Sequence, residues 1–505
     1  MSRHKIHPEW ILIAGLLALA LLARLLPGER MVDDAYITFR YARNLISGRG
    51  LVYNPGERVL GTTTPLYTFL LAGAALATGS RDFPALALAL NALSGAAAVW
   101  LLYGLGKRVT GQVPAAVAAL LWAVAPYSVT FAVGGMETDL TIALLLAAAY
   151  AHLTGHPRAL AVLSALALLA RPDAAILLVL LWLAQLTTRR APLAIRNIPW
   201  REGLIGLAIL APWLIWGTSY FGSPLPGSIA AKAITYRLGS NASLVRLIQH
   251  YGTPFLGDAL FGPAWHLVGF AVYLLLCGLG GLRAVRRNRR VWPLLAYPYL
   301  YLTVFAAANP LLFRWYLAPP LPFYFLFILT GVWAVAGDVG RAIRPSLFAI
   351  FTLTALALTL NGWDLHPDHG PNRPAPEMAW FKLELLYDRA SEVVLAHAAP
   401  GDTLCAGDIG VLGYRTGLHV VDTVGLVTPE SRRYYPTDPD IYVINYAIPA
   451  DLVLALDPDY IVILEVYGRR GLLPDPRFQA RYRLLEKFET DIYGSDGMLI
   501  FERGT

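Results

Sequence analysis

Trp10-Ile-Leu-Ile-Ala-Gly-Leu-Leu-Ala-Leu-Ala-Leu-Leu-Ala-Arg-Leu-Leu-Pro27 leads within a few residues into Met31-Val-Asp-Asp-Ala-Tyr-Ile-Thr-Phe-Arg-Tyr-Ala-Arg-Asn44. The first stretch has roughly the 20 apolar residues a helix needs to cross a bilayer. The second opens on two adjacent carboxylates, Asp33 and Asp34. Like charges held side by side at a membrane surface are costly, and such pairs usually serve chemistry or a cation. Span and loop together describe an integral membrane protein that does its work at one face.

The rest of the chain repeats the first half of that pattern. Hydrophobic residues make up 56% and charged residues 15%, and the mean hydropathy is +0.51, values that point away from a soluble chain of this length. Apolar spans are read near 9–27, 84–105, 112–131, 137–153, 158–170, 173–187, 202–219, 265–282, 291–308, 319–336 and 345–361, with a shorter apolar stretch at 62–79. The first span ends without a small-residue cleavage site and is expected to stay as an anchor.

Lys and Arg in short loops favour the cytoplasm. Arg3 and Lys5, Lys107 and Arg108, the group Arg189, Arg190, Arg196 and Arg201, the five arginines from Arg283 to Arg290, and Arg341 with Arg344 all fall on one side if 62–79 does not cross. This predicts about eleven crossings in a cytoplasmic membrane with the N-terminus inside. The loops at 28–83, 132–136, 171, 220–264 and 309–318, and everything after 362, then face outward.

From about 362 onward the pattern changes to an amphipathic stretch, Glu377 to His397, and short β-type runs at 403–406, 419–424 and 460–464. The expected organisation is a catalytic transmembrane domain, 1–361, with its outer loop at 28–83, and an extracytoplasmic α/β domain, 362–505, joined through a linker at Pro371 to Pro376. Cys277 and Cys405 lie on opposite sides of the membrane in this scheme and cannot pair. Net charge +7 follows from the inner-side arginines and implies no nucleic-acid partner.

Candidate site residues gather on the outer side. On a helix, Tyr36, Arg40 and Arg43 share one face, where they can grip an anion while Asp33 or Asp34 acts as a base; helix capping by the aspartates is the plainer alternative. Glu137 and Asp139 begin a later helix, Arg171 and Asp173 flank a Pro-containing hairpin, Glu57 and Arg58 are read as a local ion pair, and Lys232 and Arg314 add two cations. An arginine at such depth is expensive unless it pairs or meets a lipid phosphate. Asp33, Asp34, Glu57 and Glu137 offer oxygen ligands for Mg²⁺, Mn²⁺ or Ca²⁺, yet no spacing demands a metal, and metal-independent catalysis is the expectation. Asp402, Asp408 and Asp422 sit at turns or strand ends and are read as backbone-supporting.

The run from Asp33 to Leu45, Gly50-Leu-Val-Tyr-Asn-Pro-Gly-Glu-Arg-Val59, Gly61-Thr-Thr-Thr-Pro-Leu-Tyr67, Gly135-Met-Glu-Thr138, Phe221-Gly-Ser-Pro-Leu-Pro226 and Gly407-Asp-Ile-Gly-Val-Leu-Gly-Tyr414 resemble the GT-C superfamily of membrane glycosyltransferases, in particular the mycobacterial terminal arabinofuranosyltransferase type. The resemblance implies a polyprenyl-phosphate sugar donor, a cell-envelope glycan, lipid or protein acceptor, and an acidic motif in the first outer loop that Asp33 and Asp34 match. Lys232 and Arg314 match recurrent basic positions. The implied reaction is a single inverting displacement with an aspartate base. The rival classes are a transporter or flippase of lipid-linked glycans, which would place polar groups at mid-membrane, and a non-catalytic glycan-binding subunit.

Overall fold

The structure, a computed structural model, describes residues 7–187, 199–363 and 382–504. The expected linker at 371–376 and the basic group at 189–196 lie outside these residues.

Among the described residues, seven helices are long and apolar enough to cross a membrane: Pro8–Leu25, Phe83–Val109, Trp200–Phe221, Trp265–Arg287, Arg289–Ala308, Leu321–Val339 and Arg344–Asn361. Gln112–Val124 and Pro126–Val133 are apolar and long enough only when taken together, and they meet at 42°, where Pro126 withholds the amide that would continue the helix. The expected spans at 137–153, 158–170 and 173–187 correspond to shorter apolar helices, Thr138–Thr154, Pro157–Ala170 and Pro172–Leu186, so length and composition alone do not fix the count at eleven. Helix starts follow the sequence: proline stands in the first turn of many of them, where its missing N–H costs nothing, and Asp82 caps the helix from Phe83 by accepting the Ala85 N–H.

Packing inside the bundle uses small residues. The helices Trp265–Arg287 and Leu321–Val339 cross through two glycines: a Cβ on Gly280 would strike the Phe327 carbonyl, and one on Gly331 the Leu276 carbonyl. Backbones in contact maximise dispersion where burial from water offers no drive.

The two ends of the bundle are separated by their polar contacts. At one end Lys107 pairs with Glu9 and Arg283 with Asp338, and His152 Nε2 lies 3.0 Å from the Arg290 carbonyl. At the other, Arg30 N–H donates to the Val133 carbonyl at 2.9 Å and Val32 N–H to that of Gly134 at 3.0 Å. Helix Pro65–Thr78 begins and finishes at this second end: Tyr67 Oη donates to the Gly135 carbonyl, and Arg81, just past the helix, reaches Ser47 Oγ. Both termini of this helix therefore contact the same end of the bundle.

Beyond the second end sits a five-stranded sheet in the order β2-β1-β3-β5-β4, with β1 Thr403–Ala406, β2 His419–Asp422, β3 Tyr460–Leu464, β4 Tyr482–Phe488 and β5 Met498–Arg503. β1 runs parallel to both β2 and β3, with Leu404 opposite Val420 and Tyr460; β5 is antiparallel to β3, and β4 to β5. β1 to β3 coincide with the β-type runs of the sequence. β4 and β5 were not expected: β4 is an edge strand with several exposed residues and lacks a continuous apolar run. Cys277 and Cys405 are both free and buried.

Candidate functional site

The loop after the first span folds into a helix, Asp33–Ile46, whose first turn carries both aspartates. Successive residues on a helix point about 100° apart, and the two carboxylates go to different places. Asp33 is buried and accepts the N–H of Gly410 at 2.9 Å and of Val411 at 2.8 Å, the opening amides of the sheet-domain helix Gly410–Thr416. It caps a helix 377 residues away. Asp34 remains partly accessible, its Oδ2 3.7 Å from Lys232 Nζ.

The other end of that helix is held by the face expected to grip an anion. Arg40 donates to the carbonyls of Tyr53 (2.9 Å), Gly413 (2.5 Å) and Leu418 (2.7 Å), and its guanidinium lies 4.2 Å above the Tyr53 ring. Arg43 donates to the Tyr414 carbonyl at 2.8 Å and stacks on its ring, against which Tyr36 also packs. The expectation of an anion grip at Tyr36, Arg40 and Arg43 is thereby corrected: the three do share a face, but what they meet is the negative, carbonyl-bearing end of a helix. Carboxylate at one terminus and guanidiniums at the other match the helix dipole at both ends. Asn54 extends the dock, accepting from Val420 N–H at 3.0 Å and donating to its carbonyl at 2.9 Å, as a strand neighbour would. Glu57 meets Asn54 and His419, while Arg58 stands over the Tyr220 ring, so the two do not form the expected local pair.

Below Asp34 lies a buried polar floor. Arg171 makes a bidentate pair with Asp173 (2.9 and 2.8 Å), approaches Glu137 at 3.4 Å, donates to the Trp315 carbonyl and faces the Tyr316 ring at 4.8 Å. Its partners account for an arginine at this depth without a lipid phosphate. Asp139 serves the bundle itself, pairing with Arg24 at 2.7 Å where neither side chain is exposed. Lys232, on helix Ser228–Thr235, lies 4.3 Å over the Phe313 ring as well as beside Asp34. Burial works against its charge, but Asp34 and Tyr316 outweigh it and raise the ammonium pKa. Arg314 follows Phe313 and lies within electrostatic reach of His250 and of Tyr493 on the sheet domain, a tyrosine that Asp408 and Glu384 also influence.

Three residues that sequence reasoning passed over stand at this site. Glu384, on helix Lys382–His397, accepts the Asp33 N–H at 3.2 Å, and burial pushes its carboxyl up to about 8. Asp408 Oδ2 accepts from Tyr387 Oη at 2.5 Å; burial and the Asp34 charge lift its carboxyl to about 6. Tyr236 lies within the field of both Asp34 and Asp408. Of the three aspartates read as backbone supports, Asp402 caps Ala399 N–H and Asp422 accepts from Val424 and Val427, as expected. Asp408 instead meets a tyrosine. The available signal was its position two residues past β1, since parallel sheets present ligand-binding groups beyond their carboxyl ends.

The carboxylates offered for a divalent cation each have a protein partner, Asp34 being beside Lys232. Asp33 is taken by helix amides, Glu137 by Arg171 and Glu57 by Asn54 and His419, and no group of three or more His, Cys, Asp or Glu side chains converges among the described residues. An open depression of about 810 Å³ on the sheet domain is lined by Asp457, Arg477, Arg481 and Arg503, whose guanidiniums are already paired with Asp451, Asp457, Asp459 and Asp475.

Residues 62–216 match the family model described as dolichyl-phosphate-mannose-protein mannosyltransferase, and residues 379–501 match a domain family of unknown function. The chain is 30% identical over 228 residues to the terminal β-(1→2)-arabinofuranosyltransferase of Mycobacterium tuberculosis, an alignment covering 40% of this chain and 35% of that protein, so it spans about a third of the relative's length. Two solved structures superpose on nearly the whole chain. ArnT from Cupriavidus metallidurans, bound to undecaprenyl phosphate, matches with a TM-score of 0.57 at 13% identity, covering 98% of each chain. The oligosaccharyltransferase AglB of Archaeoglobus fulgidus, in complex with an inhibitory peptide and a dolichol-phosphate, matches with a TM-score of 0.57 at 13% identity, covering 100% of this chain and 75% of that one. Residues 62–216 thus match a membrane glycosyltransferase family model, and the chain as a whole shares the fold of ArnT and AglB.

Proposed function

We propose that this protein transfers a sugar from a polyprenyl-phosphate donor to an acceptor hydroxyl, with Asp34 as the general base. The observation that carries the reading is the placement of Asp34 and Lys232 side by side, 3.7 Å apart and partly accessible, where the helical bundle meets the sheet domain. Asp34 removes the proton from the acceptor hydroxyl as its oxygen attacks the anomeric carbon. The bond from that carbon to the phosphate oxygen breaks, and the phosphate leaves with both electrons. One displacement inverts the anomeric centre. Lys232 offers its charge to the leaving phosphate, and a phosphate needs no general acid to depart. A positioned base contributes about 10² to 10⁴-fold, and juxtaposing donor and acceptor adds more.

The donor class is supported by the matched mannosyltransferase family model and by the polyprenyl phosphates held in the two solved structures. An extracytoplasmic site in the cytoplasmic membrane is supported by charge: Lys107, Arg283 and Arg290 lie at the bundle end opposite Asp34, where cytoplasmic loops carry their basic residues. Catalysis proceeds without a metal in this reading, since the local carboxylates have other partners.

The test is sugar transfer by purified protein in nanodiscs, using radiolabelled polyprenyl-phosphate sugars and extracted cell-envelope acceptors. Asp34→Asn is expected to lower kcat by about 10² to 10⁴-fold with donor KM little changed, and EDTA to leave the rate unaltered. Transfer at the wild-type rate by Asp34→Asn would refute the assignment. Translocation of a lipid-linked glycan without transfer would favour the transporter class.

A further inference from the structure

At the bundle end opposite Asp34, the turns at 283–290 and 338–346 hold seven arginines against a single carboxylate, Asp338. Orientation in the membrane asks only that basic residues lie somewhere in these loops. It does not ask for any of them to be packed in place, and two are.

Arg283, on helix Trp265–Arg287, pairs with Asp338 in the last turn of helix Leu321–Val339. Arg344 opens helix Arg344–Asn361, its guanidinium 5.2 Å from the centre of the Trp333 ring, and a Cβ on Gly337 would strike it. Two cations from two neighbouring helices thus meet one stretch of a third, Trp333 to Asp338. Their donors are not spent. Arg344 has no carboxylate and no hydrogen-bond partner among the described residues, its Nε is shielded from solvent, and Nη1 of Arg283 is likewise shielded and unpartnered. Shielded donors are normally satisfied, and a cation in the first turn of a helix stands against the dipole. Both features call for an anion that the chain does not supply.

We propose that the seam between these three helices binds the phosphate headgroup of an anionic phospholipid, with Arg344 and Arg283 on the phosphate and Trp333 beside it. The inference is independent of the role of Asp34.

The surroundings select a lipid over a soluble anion. Val335 and Val339 on one helix and Leu347 and Ile350 on the other are all exposed, so apolar surface for acyl chains adjoins the two guanidiniums. Basic groups between spanning helices at a membrane surface are suited to anionic headgroups. A zwitterionic lipid would carry its own cation into a place where arginines already outnumber carboxylates seven to one. The helix also has use for such a staple. Of its eighteen residues only Phe348, Ala355 and Thr359 are buried. Its far end is fastened by the Trp363 indole N–H, which donates to the Val124 carbonyl at 2.8 Å, while its near end has only the edge-on contact of Phe348 with Trp333 and the guanidinium above that ring.

The experiment uses full-length protein, delipidated in detergent, and native mass spectrometry to titrate phosphatidylglycerol, phosphatidylcholine and, separately, inorganic phosphate. Wild type is expected to bind its first phosphatidylglycerol about tenfold more tightly than phosphatidylcholine, and millimolar inorganic phosphate to leave that lipid bound. Arg344→Gln is expected to bring the two lipids within twofold of each other. Asp338→Asn, which removes the competing carboxylate and releases Arg283, is expected to widen the preference, a gain that misfolding does not produce. Arg289→Gln changes an exposed arginine outside the seam by the same charge and is expected to keep the wild-type preference. Equal affinities for the two lipids in wild type, a preference retained in Arg344→Gln, or one lost equally in Arg289→Gln would overturn the proposal, as would displacement of the lipid by inorganic phosphate.

Discussion

Asp33→Ala removes a cap and leaves the reacting carboxylate in place. Asp33 accepts two N–H groups from the first turn of helix Gly410–Thr416, at 2.9 and 2.8 Å, in a buried setting. Hydrogen bonds to a charged partner are each worth roughly 1.5–3 kcal/mol net, and the two are not independent. Burial and the nearby Asp408 charge push the Asp33 carboxyl well upward, against the pull of the two amides, which argues for the lower part of that range. About 3 kcal/mol of local docking strength is therefore at stake, or roughly a 150-fold more frequent opening of the segment. Amide hydrogen exchange on the protein in nanodiscs reads this directly. Peptides spanning 407–418 are expected to exchange about two orders of magnitude faster in Asp33→Ala, while helix Leu321–Val339 is unchanged. Asp34→Ala should leave 407–418 at the wild-type rate. If both variants accelerate exchange equally, or Asp33→Ala stays within twofold of wild type, the division of labour between the two aspartates is wrong.

Other consequences are equally specific. Glu384 has its carboxyl raised from 4.5 to about 8, so the folded state favours its protonated form: this contribution to docking is complete below pH 4.5 and is lost as pH rises through about 8. By pH 7 the loss is a little over 3 kcal/mol, at about 1.36 kcal/mol per pH step. Glu384→Gln should flatten the fall in thermal midpoint between pH 5 and 8, and equal slopes for variant and wild type would count against it. Asp139→Ala strands the buried Arg24 guanidinium and is expected to cost about 3–5 kcal/mol, measured as a lower midpoint in detergent. Gly95→Ala should destabilise too, since its Cβ would collide with both members of that pair; a midpoint equal to wild type would show that the helices shift to admit it. Lys232→Met should cut turnover with polyprenyl-phosphate donors while acceptor KM holds, and a change confined to acceptor KM would move the lysine to the other substrate.

What the sequence made legible was whatever depends on neighbours along the chain. The apolar spans, the side on which arginines collect, and β1 to β3 all follow from local composition, because a bilayer or a sheet interior imposes the same demand on each residue of a segment. Arg40 and Arg43 were correctly placed on one helical face, but their partners, the carbonyls of Gly413, Leu418 and Tyr414, lie some 370 residues on, and no local pattern announces them. Asp408 was missed for the converse reason: strand ends commonly carry aspartate for backbone reasons, and only the sheet order separates this one from Asp422. The acidic pair shows where the boundary falls. Two adjacent carboxylates look alike in sequence, yet on a helix they diverge by about 100°, so at a junction between two bodies they cannot face the same one. Asp33 turns to the sheet domain and Asp34 to Lys232. Docking and chemistry are thus coupled through one helical turn: the residue that fastens the sheet domain also fixes the backbone of the residue proposed as base, and the domain it fastens brings Asp408 to the same site.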